Sequence, residues 1–214
     1  MIFSPEMLTL YAITDNACLR GRDLAEQVEL ALQGGVTCVQ LRDKELDTDE
    51  LAEKARVLVP ICHRYGAPLI VNDDYRAAML AGADGVHVGI EDAPVAEIRR
   101  IAGEDFIIGA TAKTVEQARA AQKMGADYLG VGAVFPSPTK KNAIRITPEQ
   151  LREIAASVKL PICAIGGITA ENVGEISGCG QRGIAVVSAI FAADDVRSAA
   201  ELLRKKAEEG NADD

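Results

Sequence analysis

Short apolar segments alternate with amphipathic segments along almost the whole chain. Eight apolar segments have the length of a strand, and several are uninterrupted, which is typical of parallel strands covered on both faces. These segments are residues 8–13, 38–41, 69–71, 85–88, 106–109, 128–131, 161–165 and 184–187. The intervening segments have helical periodicity. The clearest example has apolar positions at steps of 4, 3, 4 and 3, namely Leu51, Ala55, Leu58, Cys62 and Tyr65.

Strand and helix signals alternate strictly, with eight of each. Three junctions resemble one another, since a helix ends at glycine just before a strand in Gly34-Gly35-Val36, Ala81-Gly82-Ala83-Asp84-Gly85 and Met124-Gly125-Ala126-Asp127. We therefore predict an α/β protein with a single (β/α)8 TIM barrel over residues 1–207 and an acidic tail, residues 208–214, that frays. An open, doubly wound parallel sheet is the alternative, because alternation does not reveal whether the sheet closes.

The composition excludes several classes of protein. An apolar content of 48% is too high for a mainly disordered chain. Acidic residues outnumber basic ones by 32 to 23, for a net charge of −9, which argues against a nucleic-acid partner. No apolar run reaches the roughly eighteen residues that a membrane helix needs. The amino-terminal residues also lack the basic start and apolar core of a signal peptide.

Five cysteines are widely spaced and form no C-x-x-C motif. They are Cys18, Cys38, Cys62, Cys163 and Cys179. We interpret them as reduced thiols that fill small apolar spaces, and we predict a cytoplasmic protein.

Polar residues follow the second predicted strand, at the end where TIM barrels carry their active sites. The segment Val39-Gln40-Leu41-Arg42-Asp43-Lys44 has a period of two. This period places Gln40, Arg42 and Lys44 on the face opposite the helices. For Lys44, a solvated loop charge is an equally good interpretation.

Carboxylates end the third and fourth predicted strands. Asp73 and Asp74 follow the third strand, and Glu91 and Asp92 follow the fourth. Because Mg²⁺ is commonly held by one or two carboxylates with waters and substrate phosphates, we predict that Asp73 and Asp92 are metal ligands. We interpret Asp74 and Glu91 as capping or solvated acids. His87 fits a buried core position as well as a position in the functional site.

Two further segments are candidate phosphate sites. After the sixth strand, residues 135–141 combine hydroxyls with lysines, including Lys140, which suits phosphate oxygens. Gly166-Gly167 and Val187-Ser188 end the last two strands, where barrels often bind phosphate through backbone N–H groups. Tight turns selected for packing remain the alternative. The predicted mouth thus has a cationic site suited to a diphosphate and a neutral one suited to a monophosphate.

Taken together, these motifs resemble the thiamine-phosphate synthase family over residues 8–203. The matching motifs are Leu10-Tyr11-Ala12-Ile13-Thr14-Asp15, Val39-Gln40-Leu41-Arg42-Asp43-Lys44, Val71-Asn72-Asp73, Gly85-Val86-His87-Val88-Gly89 with Asp92, Gly130-Val131-Gly132, Phe135-Pro136-Ser137-Pro138-Thr139-Lys140-Lys141, Ala164-Ile165-Gly166-Gly167-Ile168 and Val186-Val187-Ser188-Ala189-Ile190. The resemblance implies a transferase that joins hydroxymethylpyrimidine diphosphate to a thiazole monophosphate with Mg²⁺. Diphosphate leaves first, and the thiazole nitrogen then attacks a pyrimidine-methyl cation.

The resemblance also implies a role for each matching residue. The residues that hold the pyrimidine diphosphate are Gln40, Arg42, Lys44, Asn72 and Lys140, of which Arg42, Lys44 and Lys140 are catalytic. The metal ligands are Asp73 and Asp92. The residues near the pyrimidine are Tyr11 and His87. The contacts of the thiazole phosphate are Thr139, Gly167, Val187 and Ser188. Two further substrate contacts are Thr111 and Ser137.

The chain departs from the family pattern at four places. The family usually has Gln at Ile90, Ser at Thr111 and Thr at Ser137, and it often has a glycine within residues 142–147. These departures leave room for an altered substrate preference.

Three other functions stay open. They are a thiazole tautomerase-like isomerase, a phosphosugar isomerase or lyase, and a phosphate-ligand-binding barrel without catalysis. The complete set of diphosphate residues favours the synthase. We expect small molecules as partners, and neither nucleic acid nor membrane. The mixed outer faces of the helices leave the oligomeric state open, a homo-oligomer included.

Overall fold

The computed structural model describes residues 1–136 and 144–211 of the chain. Eight parallel strands pair in chain order, and β8 pairs with β1, so the sheet closes into a barrel. The strands are β1 (Leu10–Ile13), β2 (Cys38–Leu41), β3 (Leu69–Asn72), β4 (Gly85–Val88), β5 (Ile107–Ala112), β6 (Tyr128–Gly132), β7 (Ile162–Ile165) and β8 (Gly183–Val186). The predicted (β/α)8 barrel is confirmed, and the open sheet is wrong.

Helices surround the strands. They are α1 (Asn16–Leu19), α2 (Leu24–Gln33), α3 (Thr48–Arg64), α4 (Tyr75–Ala81), α5 (Val95–Ala102), α6 (Val115–Met124), α7 (Pro148–Ala156), α8 (Ser188–Phe191) and α9 (Val196–Asn211), with 3₁₀ turns at Pro5–Leu8 and Val173–Ile176. The predicted alternation fails after β7, where only the turn Val173–Ile176 precedes β8. This segment contains Gly178 and Gly180 with positive φ, a conformation that a continuous α-helix does not accommodate.

Apolar side chains form two layers. The inner cluster lies inside the barrel and consists of Leu8, Tyr11, Ile13, Cys38, Ile70, Ile107, Tyr128, Cys163 and Ala185. The larger cluster lies between strands and helices and includes Val39 and Leu41. Gln40 is 2% exposed and bonds to the inner residue Tyr11, which confirms the predicted period of two along β2.

The last helix continues to Asn211, and the fraying expected for residues 208–214 stays a prediction. Ion pairs one turn apart stabilise this extension, since Arg204 Nε lies 2.7 Å from Glu208 Oε1 and Lys206 Nζ lies 3.0 Å from Glu209 Oε2. Residues 212–214 lie outside the described residues. Among the helices of the described segments, none has the length and apolar character needed to cross a membrane.

Candidate active site

Five polar side chains form a continuous chain of hydrogen bonds inside the barrel, below the carboxyl ends of the strands. Gln40 Nε2 donates to Tyr11 Oη at 2.8 Å, and Tyr11 Oη lies 2.9 Å from Tyr128 Oη. Tyr128 Oη lies 3.2 Å from His87 Nδ1, and His87 Nε2 lies 3.1 Å from Thr111 Oγ1. The chain therefore joins β1, β2, β4, β5 and β6 across the lumen.

Two glycines make room for these rings. A Cβ on Gly109 would lie 2.1 Å from Tyr128 Cζ and 2.5 Å from His87 Nδ1. A Cβ on Gly130 would lie 2.9 Å from His87 Cε1. Our reading of the sequence assigned no role to Gly109 or to Tyr128. The available signal was a glycine inside a strand, which often marks a close approach by another group.

Burial keeps the members of this chain neutral. Desolvation lowers the pKa of His87 to about 4, although the nearby Asp92 carboxylate acts in the opposite direction. Desolvation also raises the pKa values of Tyr11 and Tyr128 well above their usual value. At neutral pH the lumen thus presents an uncharged imidazole and two uncharged phenols.

The predicted cations lie at the end of β2. Arg42 Nη1 lies 3.2 Å from Asp15 Oδ2, and the backbone N–H of Arg42 donates to Thr14 Oγ1 at 3.0 Å. Asp15 also caps α1 by accepting from Ala17 N at 3.0 Å. The guanidinium is therefore oriented by a carboxylate that our reading of the sequence had not singled out.

The carboxyls of Asp73 and Asp92 lie together beside Lys44. Burial, followed by the hydrogen bond and the charge of Asp92, raises the pKa of Asp73 to about 6, although Lys44 acts in the opposite direction. Lys44 Nζ lies 3.8 Å from Asp73 Oδ2 and is 62% exposed. Asp92 Oδ2 accepts the Gly89 N–H at 2.7 Å. The structure thus brings the two predicted metal ligands together.

The backbone of Asp73 supports a functional role. Its φ of 65° lies in the left-handed region, which costs free energy for any residue except glycine and is less unfavourable for Asp and Asn. The Asp73 N–H donates to His87 O at 2.8 Å, which holds this conformation against β4. Its neighbour Asp74 caps α4 by accepting from Arg76 N and Ala77 N, both at 2.9 Å, as the sequence predicted.

The donor chemistry of the pair fits a hard divalent cation. Asp73 and Asp92 offer carboxylate oxygens, and the amide of Asn72 hydrogen-bonds to Asp73. Within residues 1–136 and 144–211, no group of three or more His, Cys, Asp or Glu side chains is arranged to hold a metal. A cation at this pair would therefore need ligands from water or substrate.

The glycines after β7 are required by close packing. A Cβ on Gly167 would lie 2.2 Å from Pro136 O, and one on Gly166 would lie 2.6 Å from Ala133 Cα. Asn172 holds the same turn, since its Nδ2 donates to Gly167 O at 2.9 Å and its Oδ1 accepts from Thr169 N at 2.8 Å. The predicted alternation calls for an α-helix between β7 and β8, and the structure has only the 3₁₀ turn Val173–Ile176 there. The packing does not exclude a phosphate role for Gly167.

A helix does begin directly after β8. Ser188 is the first residue of α8 and Val187 is its N-cap. At the other end of α8, the guanidinium of Arg22 donates to Phe191 O and, at 2.9 Å, to Ala193 O. Arg22 thus fixes the short helix against the segment that follows β1.

The remaining predicted site residues have different outcomes. Ser137, Thr139 and Lys140 lie outside the described residues, and their roles stay predictions. Ile90, where the family usually has Gln, is an apolar side chain that is 56% exposed.

Comparison with known proteins gives one consistent result. The sequence model of a family described as thiamine monophosphate synthase matches residues 10–190. The thiamine-phosphate synthase of Ruminiclostridium cellulolyticum is 46% identical over 195 residues, which cover 91% of this chain and 93% of that protein.

Solved structures agree with the sequence comparison. The thiamine phosphate pyrophosphorylase of Pyrococcus furiosus is 43% identical to this chain and superposes with a TM-score of 0.89 over 97% of this chain and 98% of that one. A 3-hexulose-6-phosphate synthase, at 16% identity and a TM-score of 0.65, is similar in fold alone and aligns over 92% of this chain and 99% of its own. The resemblance inferred from the motifs is confirmed.

Proposed function

The chain belongs to the thiamine monophosphate synthase family, a family of transferases in thiamine biosynthesis, and we propose that it joins hydroxymethylpyrimidine diphosphate to thiazole monophosphate. The products are thiamine phosphate and diphosphate. The observation that carries this proposal is the combination at one mouth of a carboxyl pair, two cations and an uncharged polar lumen. A reaction that expels diphosphate needs the carboxyl pair and the two cations. The uncharged polar lumen is compatible with a cationic intermediate.

The diphosphate lies, in this proposal, beside Arg42, Lys44 and Lys140, with Asn72 and Gln40 as uncharged contacts. Arg42 is already oriented by Asp15 at 3.2 Å. Lys44 is well exposed, which leaves its ammonium group accessible to a phosphate. Cations that meet the leaving oxygens stabilise the charge that develops there.

We propose Asp73 and Asp92 as the ligands of Mg²⁺. The raised pKa of Asp73 beside Asp92 supports this assignment, because a divalent cation would relieve the repulsion between the two carboxylates. When bound, Mg²⁺ neutralises charge on the diphosphate oxygens. Its open coordination positions suit those oxygens and water.

The pyrimidine lies, in this proposal, against Tyr11, His87 and Thr111. In the first step, the bond between the pyrimidine methylene carbon and the diphosphate oxygen breaks, and its electron pair leaves with the oxygen. In the second step, the lone pair of the thiazole nitrogen forms the new carbon–nitrogen bond. Neither step transfers a proton. No side chain there therefore needs to act as a base, which is in keeping with the uncharged phenols and imidazole around the pyrimidine.

The thiazole phosphate is assigned to the second anion site. Val187 and Ser188 would bind it at the start of α8, together with Gly167 and Thr139. The N–H groups at a helix start favour an anion. The packing of Gly167 against Pro136 and the contacts of Arg22 with α8 support a rigid site.

The five free thiols are in keeping with a cytoplasmic location, which we also propose.

One assay tests the proposed reaction. The purified protein receives each substrate alone and then both, and the release of diphosphate is measured with Mg²⁺ or with a chelator. We expect release only with both substrates and Mg²⁺. Conversion of a thiazole substrate alone would indicate an isomerase, and binding without product would indicate a non-catalytic barrel. Full activity in chelator would contradict the metal assignment.

Saturation curves for each substrate test the division of the mouth. We expect Arg42→Ala to impair the use of the diphosphate substrate and Ser188→Ala mainly to raise KM for the thiazole phosphate. Arg197→Ala is the matched control, because Arg197 pairs with Glu201 on the outer helix α9. Equal effects of Arg42→Ala and Ser188→Ala on both substrates would contradict two separate anion sites.

A further inference from the structure

Tyr128 lies at the centre of the hydrogen-bonded chain in the lumen. Its hydroxyl contacts both Tyr11 Oη, at 2.9 Å, and His87 Nδ1, at 3.2 Å. We propose that Tyr128 is a positioning residue that holds His87 as the Nε2–H tautomer, so that the Thr111 hydroxyl is left as a hydrogen-bond donor at the barrel mouth.

The direction of the chain follows from the donor at its start. Gln40 Nε2 can only donate, so Tyr11 Oη accepts from it at 2.8 Å. We assign the single hydroxyl proton of Tyr11 to the contact with Tyr128 Oη, which lies 2.9 Å away. Tyr128 in turn gives its own proton to His87 Nδ1.

The imidazole completes the same sequence. A neutral imidazole carries one N–H, so an Nδ1 that accepts leaves the proton on Nε2. His87 Nε2 therefore donates to Thr111 Oγ1, which lies 3.1 Å away. The hydroxyl proton of Thr111 is then free to point at another acceptor.

Two properties of the lumen keep this direction. Tyr11 and Tyr128 are each only 1% exposed, and each hydroxyl has a partner of the chain on both sides. The rings of Tyr128 and His87 also have little room to move, because they lie so close to Gly109 and Gly130 that a Cβ at either glycine would overlap them. A proton placed at one end of the chain thus determines the donors and acceptors at the other end.

For catalysis, the inference deepens the proposed reaction and rests on it. A fixed donor at Thr111 selects a pyrimidine that offers an acceptor at that position. Tyr128 would then affect substrate preference indirectly, through Thr111. Its own hydroxyl contacts Tyr11 and His87 within the lumen. The tautomer itself does not depend on the proposed reaction.

Nitrogen NMR of protein labelled with ¹⁵N-histidine measures the tautomer directly. The chain has two histidines, His63 and His87, so His63→Gln assigns both sets of signals by elimination. At neutral pH we expect a protonated Nε2 and an unprotonated Nδ1 for His87. An Nδ1–H tautomer, or an even mixture of the two, in the otherwise unchanged protein would overturn the proposal.

The variant Tyr128→Phe tests the part played by the hydroxyl. We expect the two His87 tautomers to become mixed and kcat/KM to fall by on the order of tenfold, because two hydrogen-bond partners lose their contact. Tyr65→Phe is the matched control, since Tyr65 Oη bonds Glu29 on the outer surface at 3.1 Å. The control should keep both the tautomer and the activity.

The outcomes separate the inference from the proposed function. An unchanged His87 tautomer in folded Tyr128→Phe would overturn the positioning role, whatever its activity. An unchanged kcat/KM with a mixed tautomer would overturn the link to substrate. Failure of the unsubstituted protein to make thiamine phosphate would instead contradict the proposed reaction and leave the NMR result standing.

Discussion

The two ends of the barrel use polar side chains in opposite ways. At the base, where the strands begin, the side chains of Thr37, Asp84 and Asp127 accept hydrogen bonds from the protein's own backbone. At the mouth, where the strands end, the carboxyls of Asp73 and Asp92 are held together, and the exposed Lys44 lies 3.8 Å from Asp73. Polar groups whose hydrogen bonds are made within the protein contribute to its stability. Polar groups that the fold holds together although they repel one another are candidates for function.

The base repeats one arrangement at three junctions. Thr37 Oγ1 accepts the Leu10 N–H at 2.9 Å, and Asp84 Oδ2 accepts the Leu69 N–H at 2.9 Å. Asp127 Oδ2 likewise accepts from Ile108 N at 2.7 Å. In each case a residue just before an even-numbered strand bonds the start of the preceding odd-numbered strand.

Arg99 shows how completely the base pairs its charges. Its guanidinium donates to Gly103 O, Phe106 O and Gly125 O, and its Nη2 lies 2.7 Å from Asp127 Oδ2. One cation therefore joins the starts of β5 and β6 to the end of α5. At the mouth, the ion pair of Lys44 with Asp73 is longer, at 3.8 Å.

Removing one mouth carboxyl should have the largest effect on activity. Asp73→Asn should lower kcat/KM by on the order of 10²–10³-fold, because charge stabilisation of the leaving group is lost. Its free energy of unfolding should not fall, since Asn tolerates the left-handed backbone and no longer repels Asp92. Steady-state kinetics and chemical denaturation measure both quantities.

The neighbouring acid Glu91 provides the control for this prediction. Glu91→Gln changes an exposed carboxyl near the same strand end and should alter neither quantity. A loss of stability in Asp73→Asn as large as its loss of activity would make Asp73 a structural residue like those at the base.

A substitution in the lumen below the mouth should lower both the activity and the free energy of unfolding. Gly109→Ala places a methyl group 2.1 Å from Tyr128 Cζ, so we expect a loss of about 1–3 kcal/mol in the free energy of unfolding together with lower activity. Gly174→Ala is the control, because no atom lies within 4 Å of the added Cβ. Activity unchanged in folded Gly109→Ala would separate the ring positions from catalysis.

The base should respond in stability alone. Thr37→Val keeps the shape of the side chain but removes both hydrogen bonds with Leu10, which should cost about 1 kcal/mol in the free energy of unfolding. The kcat/KM of the folded protein should stay unchanged. A specific loss of activity at permissive temperature would show that the base contributes to the reaction.

The smallest effect is expected at Asp43, a mouth residue whose charge is paired as at the base. Burial alone raises the pKa of Asp43, but hydrogen bonds from Lys54, at 2.7 Å, and from Asn16 lower it more, so its pKa lies below the usual value. Asp43→Asn should therefore cost less than about 1 kcal/mol at neutral pH.

The pH dependence of this loss has a definite sign. A carboxyl with a lowered pKa stabilises the folded state above its unfolded pKa of about 3.9, and the contribution disappears as the pH falls through the folded value. Unfolding curves of Asp43→Asn and the unsubstituted protein should thus converge below about pH 4. A gap that persists there would mean that packing, and not charge, holds Asp43.

Local signals were read correctly from the sequence. The pair Thr147-Pro148 has the sequence of a helix start, and α7 begins there, with Thr147 accepting from Gln150 N. The outward Val39 and Leu41 and the inward Gln40 follow from the period of two. The segment after β7 was misjudged because its apolar residues, including Val173 and Ile176, are buried without forming an α-helix.

The sequence by itself therefore determined the order of the strands, the faces of β2 and the residues at the strand ends, because these depend on neighbours only a few positions apart. Closure of the sheet depends on eight strand pairings at once, and only the tertiary structure decided it. The contacts of Tyr128 with Tyr11 and His87 cross the lumen between strands that are not adjacent in the sheet. Such contacts exist only after closure, so no local pattern encodes them. The approach of Asp73 to Asp92 joins the ends of the adjacent strands β3 and β4, and the sequence did indicate it.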